Sequence, residues 1–190
     1  MTKILAFSGS SRSGSFNQAI VKMAAEGASE AGAEVTVINL ADYAMPIFNE
    51  DEEAQNGIPE RAQAFKELLI SHDGFLIASP EYNSSYPALL KNAIDWASRK
   101  QGDEPMLGAY RGKVAGIMAA SPGGLGGMRV LVTLRMLLEN LGVIVMPNQR
   151  SVAKAAGLVD EQGNVSDEKT AEQLKKLGAD LVSLTAKINR

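Results

Sequence analysis

The chain has 190 residues, 45% hydrophobic and 22% charged, with a net charge of -3 and no cysteine. That length and balance predict one soluble domain spanning residues 1–190, with a single substantial core. The missing cysteines exclude disulfides, zinc–thiolate sites, iron–sulfur clusters and cysteine nucleophiles, and the weak charge without a basic stripe argues against a nucleic-acid partner.

Residues 3–8 (KILAFS) form a short apolar run ending at glycine and serines, the pattern of a buried strand. Residues 17–32 carry Ile20, Met23, Ala24 and Ala28 at helical spacing, closed by Gly32. Residues 34–40 (EVTVINL) are β-branched and strand-like. Residues 41–57 hold Pro46 and the acidic run Glu50–Asp51–Glu52–Glu53 and read as a solvated surface loop. Pro59 opens a helix that runs to about Ser71.

Residues 74–79 (GFLIAS) are the third strand, and residues 87–98 a helix with Leu90, Ala93, Ile94 and Ala97 on one side. Residues 113–120 are the fourth strand, 128–141 a helix stopped by Gly142, and 143–146 the fifth strand, resuming near 151–153. An amphipathic helix over 167–188, with Ser166 as its cap, closes the chain.

Strands alternating with helices predict a parallel sheet covered on both faces. Five strands without a second βαβαβ half fit a flavodoxin-like three-layer α/β sandwich, a five-stranded parallel sheet of order 2-1-3-4-5. Ligands of such sheets sit outside the carboxyl ends of the strands. The loops after strands one, three and four are therefore the candidate site.

The first loop, residues 9–17 (GSSRSGSFN), joins a strand to a helix start, where amides are unpaired and carry partial positive charge. Gly9 and Gly14 permit tight curvature. Ser10, Ser11, Ser13 and Ser15 add hydroxyls, Asn17 an amide, and Arg12 a forked cation suited to phosphate oxygens. The loop matches neither GxxxxGK[ST] nor GxGxxG, which disfavours P-loop NTPases and the standard NAD fingerprint. Alone, it reads either as an anion site or as a serine-rich turn with a helix cap.

The second loop begins PEYN at Pro80 and ends at Tyr86, just before Pro87. It is a rigid polar-aromatic segment, able to hold the edge of a flat heterocycle through backbone amides or simply to be a surface turn. The third, residues 121–127 (SPGGLGG), is glycine-rich and lets backbone approach a ligand closely. With no cysteine available, redox chemistry here requires a bound organic cofactor.

The segments GSSRSGSFN, PEYNSSYPALLKNAIDWASR and SPGGLGGMRVLVTLR resemble the three signatures of the NADPH-dependent FMN reductase family, which includes flavin, quinone, azo-dye and chromate reductases. The resemblance runs, in order, over nearly the whole chain. It implies a bound FMN and NADPH or NADH as co-substrate. Ser10, Arg12, Ser15, Phe16 and Asn17 would hold the phosphate and its approach. Pro80, Glu81, Tyr82 and Asn83 would hold the isoalloxazine largely through backbone groups, with Ser121 and Gly123 on its other side. The flavin carries the chemistry, so no catalytic side chain is nominated. The resemblance further implies a homodimer or homotetramer and a small-molecule electron acceptor. One departure is Ser84, where many relatives have glycine.

Several residues are set aside. His72, the single histidine, lies away from the three loops and reads as structural. Lys91 and Asp95 are spaced as a helix-surface pair. Trp96 is expected in the core or at a subunit contact, and Met128 and Met136 to pack their helix. No segment has a metal-loop pattern. No apolar stretch has the length of a membrane span, and the opening MTKILAFSGSS has no cleavage-type small-residue site, so a cytoplasmic location is expected.

The rival reading is a flavodoxin-type electron carrier without NAD(P)H reductase activity, although carriers tend to be strongly acidic. A low-molecular-weight phosphatase needs a first-loop cysteine, and a receiver domain needs an acidic cluster at the strand ends. The chain has neither.

Overall fold

The computed structural model describes residues 1–160 and 162–189. Five strands are parallel neighbours in the order β2-β1-β3-β4-β5: β1 (Lys3–Ser8), β2 (Glu34–Asn39), β3 (Gly74–Ala78), β4 (Val114–Ala120) and β5 (Ile144–Val145). A short β6 (Arg150–Val152) takes the same outer position further up, pairing Met118–Ala120 of β4. The expected fifth strand is thus split. Pro147 lacks an amide donor, and the ladder stops after the Met146 amide reaches the Ala115 carbonyl at 2.8 Å. Arg135 braces the break by donating to the carbonyls of Val145 and Met146 at 3.1 and 2.7 Å.

The period-two alternation of the strands sends successive side chains to two cores. Leu5, Phe7, Phe75, Ile77 and Ile117 pack against α3 (Glu60–Ser71), α4 (Ala88–Ser98) and α5 (Met128–Asn140). Ile4, Ala6, Leu76 and Met118 pack against α1 (Phe16–Glu30) and α6 (Glu168–Ile188). The last two helices cross closely because Gly27 and Gly178 leave no room for a Cβ against the backbones of Lys175 and Ala24. No described helix is long and apolar enough to cross a membrane.

Three local expectations are corrected. The acidic run is not a loop: it begins the helix α2 (Glu50–Asn56), where the Asn49 side chain accepts the Asp51 amide at 2.8 Å. Four carboxylates in the first turn favour the positive end of that helix. It buries none of its residues, so it carried no apolar period to read. Its Glu53 is paired with Arg99 at 2.8 Å. Second, the cap of α6 is Asp167, which accepts the Thr170 amide at 2.8 Å, rather than Ser166. Third, Met128 and Met136 do not pack. They are 50% and 57% exposed, in line with Val132 at one-turn spacing.

Other expectations hold. Lys91 and Asp95 pair at 2.6 Å. Trp96 is fully buried, its indole N–H donating to the Pro46 carbonyl at 2.8 Å. His72 is structural: its Nδ1 lies 2.7 Å from the Leu68 carbonyl, which can only accept, and its Nε2 meets the Thr36 hydroxyl at 2.8 Å.

Candidate functional site

The carboxyl ends of β1, β3 and β4 lie side by side, so the loops that follow them surround one space. The Gly9 amide continues the sheet to the Ala78 carbonyl at 2.9 Å, and a Cβ at Gly9 would press on Leu90 and Pro87. Gly14 then turns the chain at φ +65°. Ser15 caps α1, its Oγ accepting the Gln18 amide at 3.3 Å. The Ala19 amide begins the helix ladder on the Ser15 carbonyl at 3.1 Å. Among the described residues, the amides of Phe16 and Asn17 have no protein acceptor. Arg12 is exposed. Its guanidinium lies 5.2 Å from the Phe16 ring centroid and donates only to the adjacent Ser13 carbonyl at 3.1 Å.

Asn17 has a different first duty from the one its position suggests. Its side-chain amide donates to the Ala120 carbonyl and accepts the Ala120 amide, each at 2.9 Å. It extends the end of β4 as a strand neighbour would, fixing the start of α1 to the third loop. One amide hydrogen is left for the space between them.

The loop after β3 closes on itself through one pair of residues. Tyr82 and Ser85 exchange amide–carbonyl bonds at 2.9 and 3.1 Å around Asn83 and Ser84, whose φ values are +51° and +68°. That is a two-residue turn of the primed type. The Ser79 hydroxyl donates to the Pro80 carbonyl at 3.0 Å. Tyr82 is 56% exposed and presents its ring at the mouth.

The third loop is fastened from outside. Ser121 and Val152 pair at 3.2 Å, Ala155 donates to Ser121 at 3.1 Å, and Lys154 donates to Gly123 at 3.1 Å. Gly126 and Gly127 both have positive φ, and a Cβ on either would strike neighbouring atoms.

Glu81 joins the second loop to α5. Its carboxylate accepts the amides of Arg129 at 3.0 Å and Val130 at 3.2 Å, and pairs with the Arg129 guanidinium, whose Nε is 2.6 Å away. Burial by itself pushes this carboxyl's pKa up. The Arg129 guanidinium and the two amides outweigh that and hold it below the ordinary carboxylate value. The side chain is 7% exposed and fully engaged, so it is not a free acid or base.

The resulting cavity is about 310 Å³, bounded by Ser10, Arg12, Ser15, Phe16 and Asn17 on one side and by Pro80, Glu81, Tyr82 and Ser121 on the other. Ala120 and Pro122, which carry no side-chain signal of a site, complete it. Asn83 and Gly123 were expected there but do not line it. Asn83 occupies the turn tip, and Gly123 faces Lys154 with its carbonyl. A groove of about 380 Å³ between Lys22, Glu26, Val35 and Val37 is larger, but it lies on the β2 edge away from the strand ends and gathers no convergent amides. The smaller cavity is the better site on chemical grounds. Unpaired amides and a free guanidinium lie at one end, and a slot walled by backbone and proline at the other. These groups match a flat ring carrying a phosphate.

The fold is flavodoxin-like, with this cavity at the carboxyl ends of its strands. The sequence profile of the NADPH-dependent FMN reductase family matches residues 2–157. An NAD(P)H-dependent FMN reductase of Pseudomonas aeruginosa is 36% identical over 175 residues, covering 92% of this chain and 90% of that protein. A quinone reductase of Escherichia coli K12 is 35% identical over 175 residues, covering 90% and 89%. Among solved structures, the flavoenzyme NAD(P)H:(acceptor) oxidoreductase FerB of Paracoccus denitrificans superposes with a TM-score of 0.81 at 30% identity, covering 98% of both chains. The chain belongs to the NADPH-dependent FMN reductase family. It is an NAD(P)H-dependent oxidoreductase of the FMN reductase and quinone reductase type.

Proposed function

We propose that the cavity binds FMN and that the protein passes electrons from NADPH or NADH, through that flavin, to a small acceptor, with quinones the first class to test. Flavin, azo-compound and chromate acceptors are the other members of the acceptor set. The observation that carries this reading is that free donors at the α1 start and the residues Pro80, Tyr82 and Ser121 bound one cavity of about 310 Å³. Quinone-reducing relatives support the acceptor class.

The bound flavin supplies two-electron chemistry that no side chain here offers. The chain's part is to bind and orient it. The amides of Phe16 and Asn17, the hydroxyls of Ser10 and Ser15 and the Arg12 guanidinium would hold its phosphate. Pro80, Tyr82, Ser121 and Pro122 would flank its ring and limit water there. Glu81 is committed to Arg129 and α5.

Family membership favours a reductase over a flavodoxin-type carrier. The test is NADPH oxidation by the purified, FMN-reconstituted protein in air, then with a benzoquinone. Turnover without a partner enzyme supports the proposal. A protein that takes up no FMN from excess, or one that binds FMN yet needs a separate reductase, refutes it. We further propose a homodimer or homotetramer, supported by the exposed row Met128, Val132 and Met136. Light scattering that reports only monomer at micromolar concentration would refute that assembly.

A further inference from the structure

We infer that Glu81 is a positioning residue that caps α5 from another loop, and so holds the second loop to the third at the width a flavin ring needs. This rests on the flavin reading above for its consequence, but not for its geometry.

Helices α1, α2 and α6 each begin with a capping side chain of their own, from Ser15, Asn49 and Asp167. Helix α5 does not. Its cap residue is Gly127, held at φ 80° and ψ 24°, with no side-chain bond. No side chain fits there, because a Cβ would lie 2.7 Å from the Cβ of Ala119. The first-turn amides would stay bare in a partly buried place. Glu81 reaches them from a loop nearly fifty residues earlier. The bond therefore links two walls of one cavity: Glu81 stands between Pro80 and Tyr82, and the capped amides follow directly on the glycine loop.

The charge of Glu81 has a second effect. It balances the Arg129 guanidinium and the positive end of α5 beside the cavity. With the carboxylate removed, that positive potential is unopposed and favours electron-rich, reduced flavin.

Wild type, Glu81→Ala, Glu81→Gln, Arg129→Met and the double variant of the last two decide the matter. Amide exchange is followed in flavin-free protein. FMN affinity is read from quenching of flavin fluorescence, and the midpoint potential from a dye-equilibrated titration. Glu81→Ala, which leaves no acceptor, is expected to speed exchange at Arg129 and Val130 and to weaken FMN by about tenfold, while Glu81→Gln keeps an acceptor oxygen, loses the charge and gives a smaller change in both. Arg129→Met leaves both amides capped and weakens FMN by less than about threefold. The potential rises in Glu81→Gln and returns toward wild type in the double variant, a reversal that a purely structural role would not produce.

Unchanged exchange in Glu81→Ala, which leaves no acceptor oxygen, overturns the cap. Faster exchange with wild-type FMN affinity overturns its hold on the cavity. FMN loss with unchanged exchange assigns Glu81 a direct contact with the cofactor and overturns the inference as well. A potential that does not rise overturns the charge balance. Should either Glu81 variant unfold, Glu81→Asp takes its place, with each effect expected in the same direction and smaller. Wild-type protein that binds no FMN refutes the proposed function alone, while exchange in the flavin-free chain still decides the cap.

Discussion

On one side of the cavity, Arg12 donates only to the carbonyl of its neighbour, and two amides of α1 stand without a protein acceptor. On the other side, the Glu81 carboxylate takes the amides of Arg129 and Val130 together with the Arg129 guanidinium, and the turn at Asn83 closes on itself. The first half offers a cation and two helix-start amides with nothing beyond that one neighbouring carbonyl among the described residues to hold them, while the second ties its walls to one another through Glu81 and the Tyr82–Ser85 turn. The difference follows from what each must hold. An anion needs donors that are free before it arrives, and a flat ring needs walls that are already rigid. The first half should thus tolerate substitution in stability and fail in binding, and the second should do the reverse.

The largest expected effect tests the rigid half. Gly126 sits at φ +60°, and a Cβ there would lie 2.6 Å from the Ala153 backbone nitrogen. Gly126→Ala should cost about 3 kcal/mol or more, because both the backbone conformation and the contact resist it. Gly14 has φ +65°, but its nearest neighbour is the flexible Arg12 Nη1 at 3.8 Å. Gly14→Ala should cost only about 1 kcal/mol, the conformational part alone. Urea denaturation of both variants measures the contrast, and equal losses would erase it.

Arg12→Ala makes the complementary test. Melting should move little, within about 0.5 kcal/mol of wild type, because an exposed cation with one local bond is removed. Affinity for FMN should drop by about tenfold or more, while affinity for riboflavin, which lacks the phosphate, stays the same. A parallel loss for both ligands would put Arg12 on the ring and not on the phosphate.

Acid separates the halves in another way. The carboxyl of Glu81 has a lowered pKa in the folded chain, relative to an ordinary value of 4.5. Its contribution to stability is therefore complete above that ordinary value and is lost as pH falls through the folded one. Wild-type stability should decline below about pH 4.5, with faster amide exchange at Arg129 and Val130. Glu81→Gln should show a flatter decline. If wild type and variant lose stability in parallel, the carboxylate is not what acid disrupts.

The order of strands and the three loops were legible because apolar strand runs and glycine or proline punctuation are local signals. Nothing local marks Glu81 as a cap: the helix it serves begins far along the chain, and its partner amides have no side-chain signature. Asn17 shows the same limit, since a helix-start asparagine looks like a donor for ligand until the end of β4 is seen against it. The acidic run from Glu50 to Glu53 failed for another reason. Its helix is stabilised by Asn49 and by charge at the positive end, neither of which leaves a periodic apolar trace. The methionines of α5 were assigned to packing by chemistry alone, yet the residues that α5 buries are Val130, Leu131, Leu134 and Leu138 on its other face.

The smallest expected effect concerns the one departure from the family pattern. Asn83 and Ser84 both sit at positive φ in a two-residue turn, a shape for which asparagine followed by glycine is the favoured pair. Serine at φ +68° is strained by its Cβ. Glycine would relieve that strain but free the unfolded chain, which offsets part of the gain. Ser84→Gly should therefore stabilise the protein by only about 0.5 kcal/mol, read as a small rise in melting temperature. The turn is closed by the Tyr82 and Ser85 backbones in either case, and Ser84 does not line the cavity. FMN affinity should therefore stay as it is. A stability gain together with a changed affinity would mean that strain at this turn reaches the ring wall through Tyr82, and the rigid half would then be less insulated than its hydrogen bonds suggest.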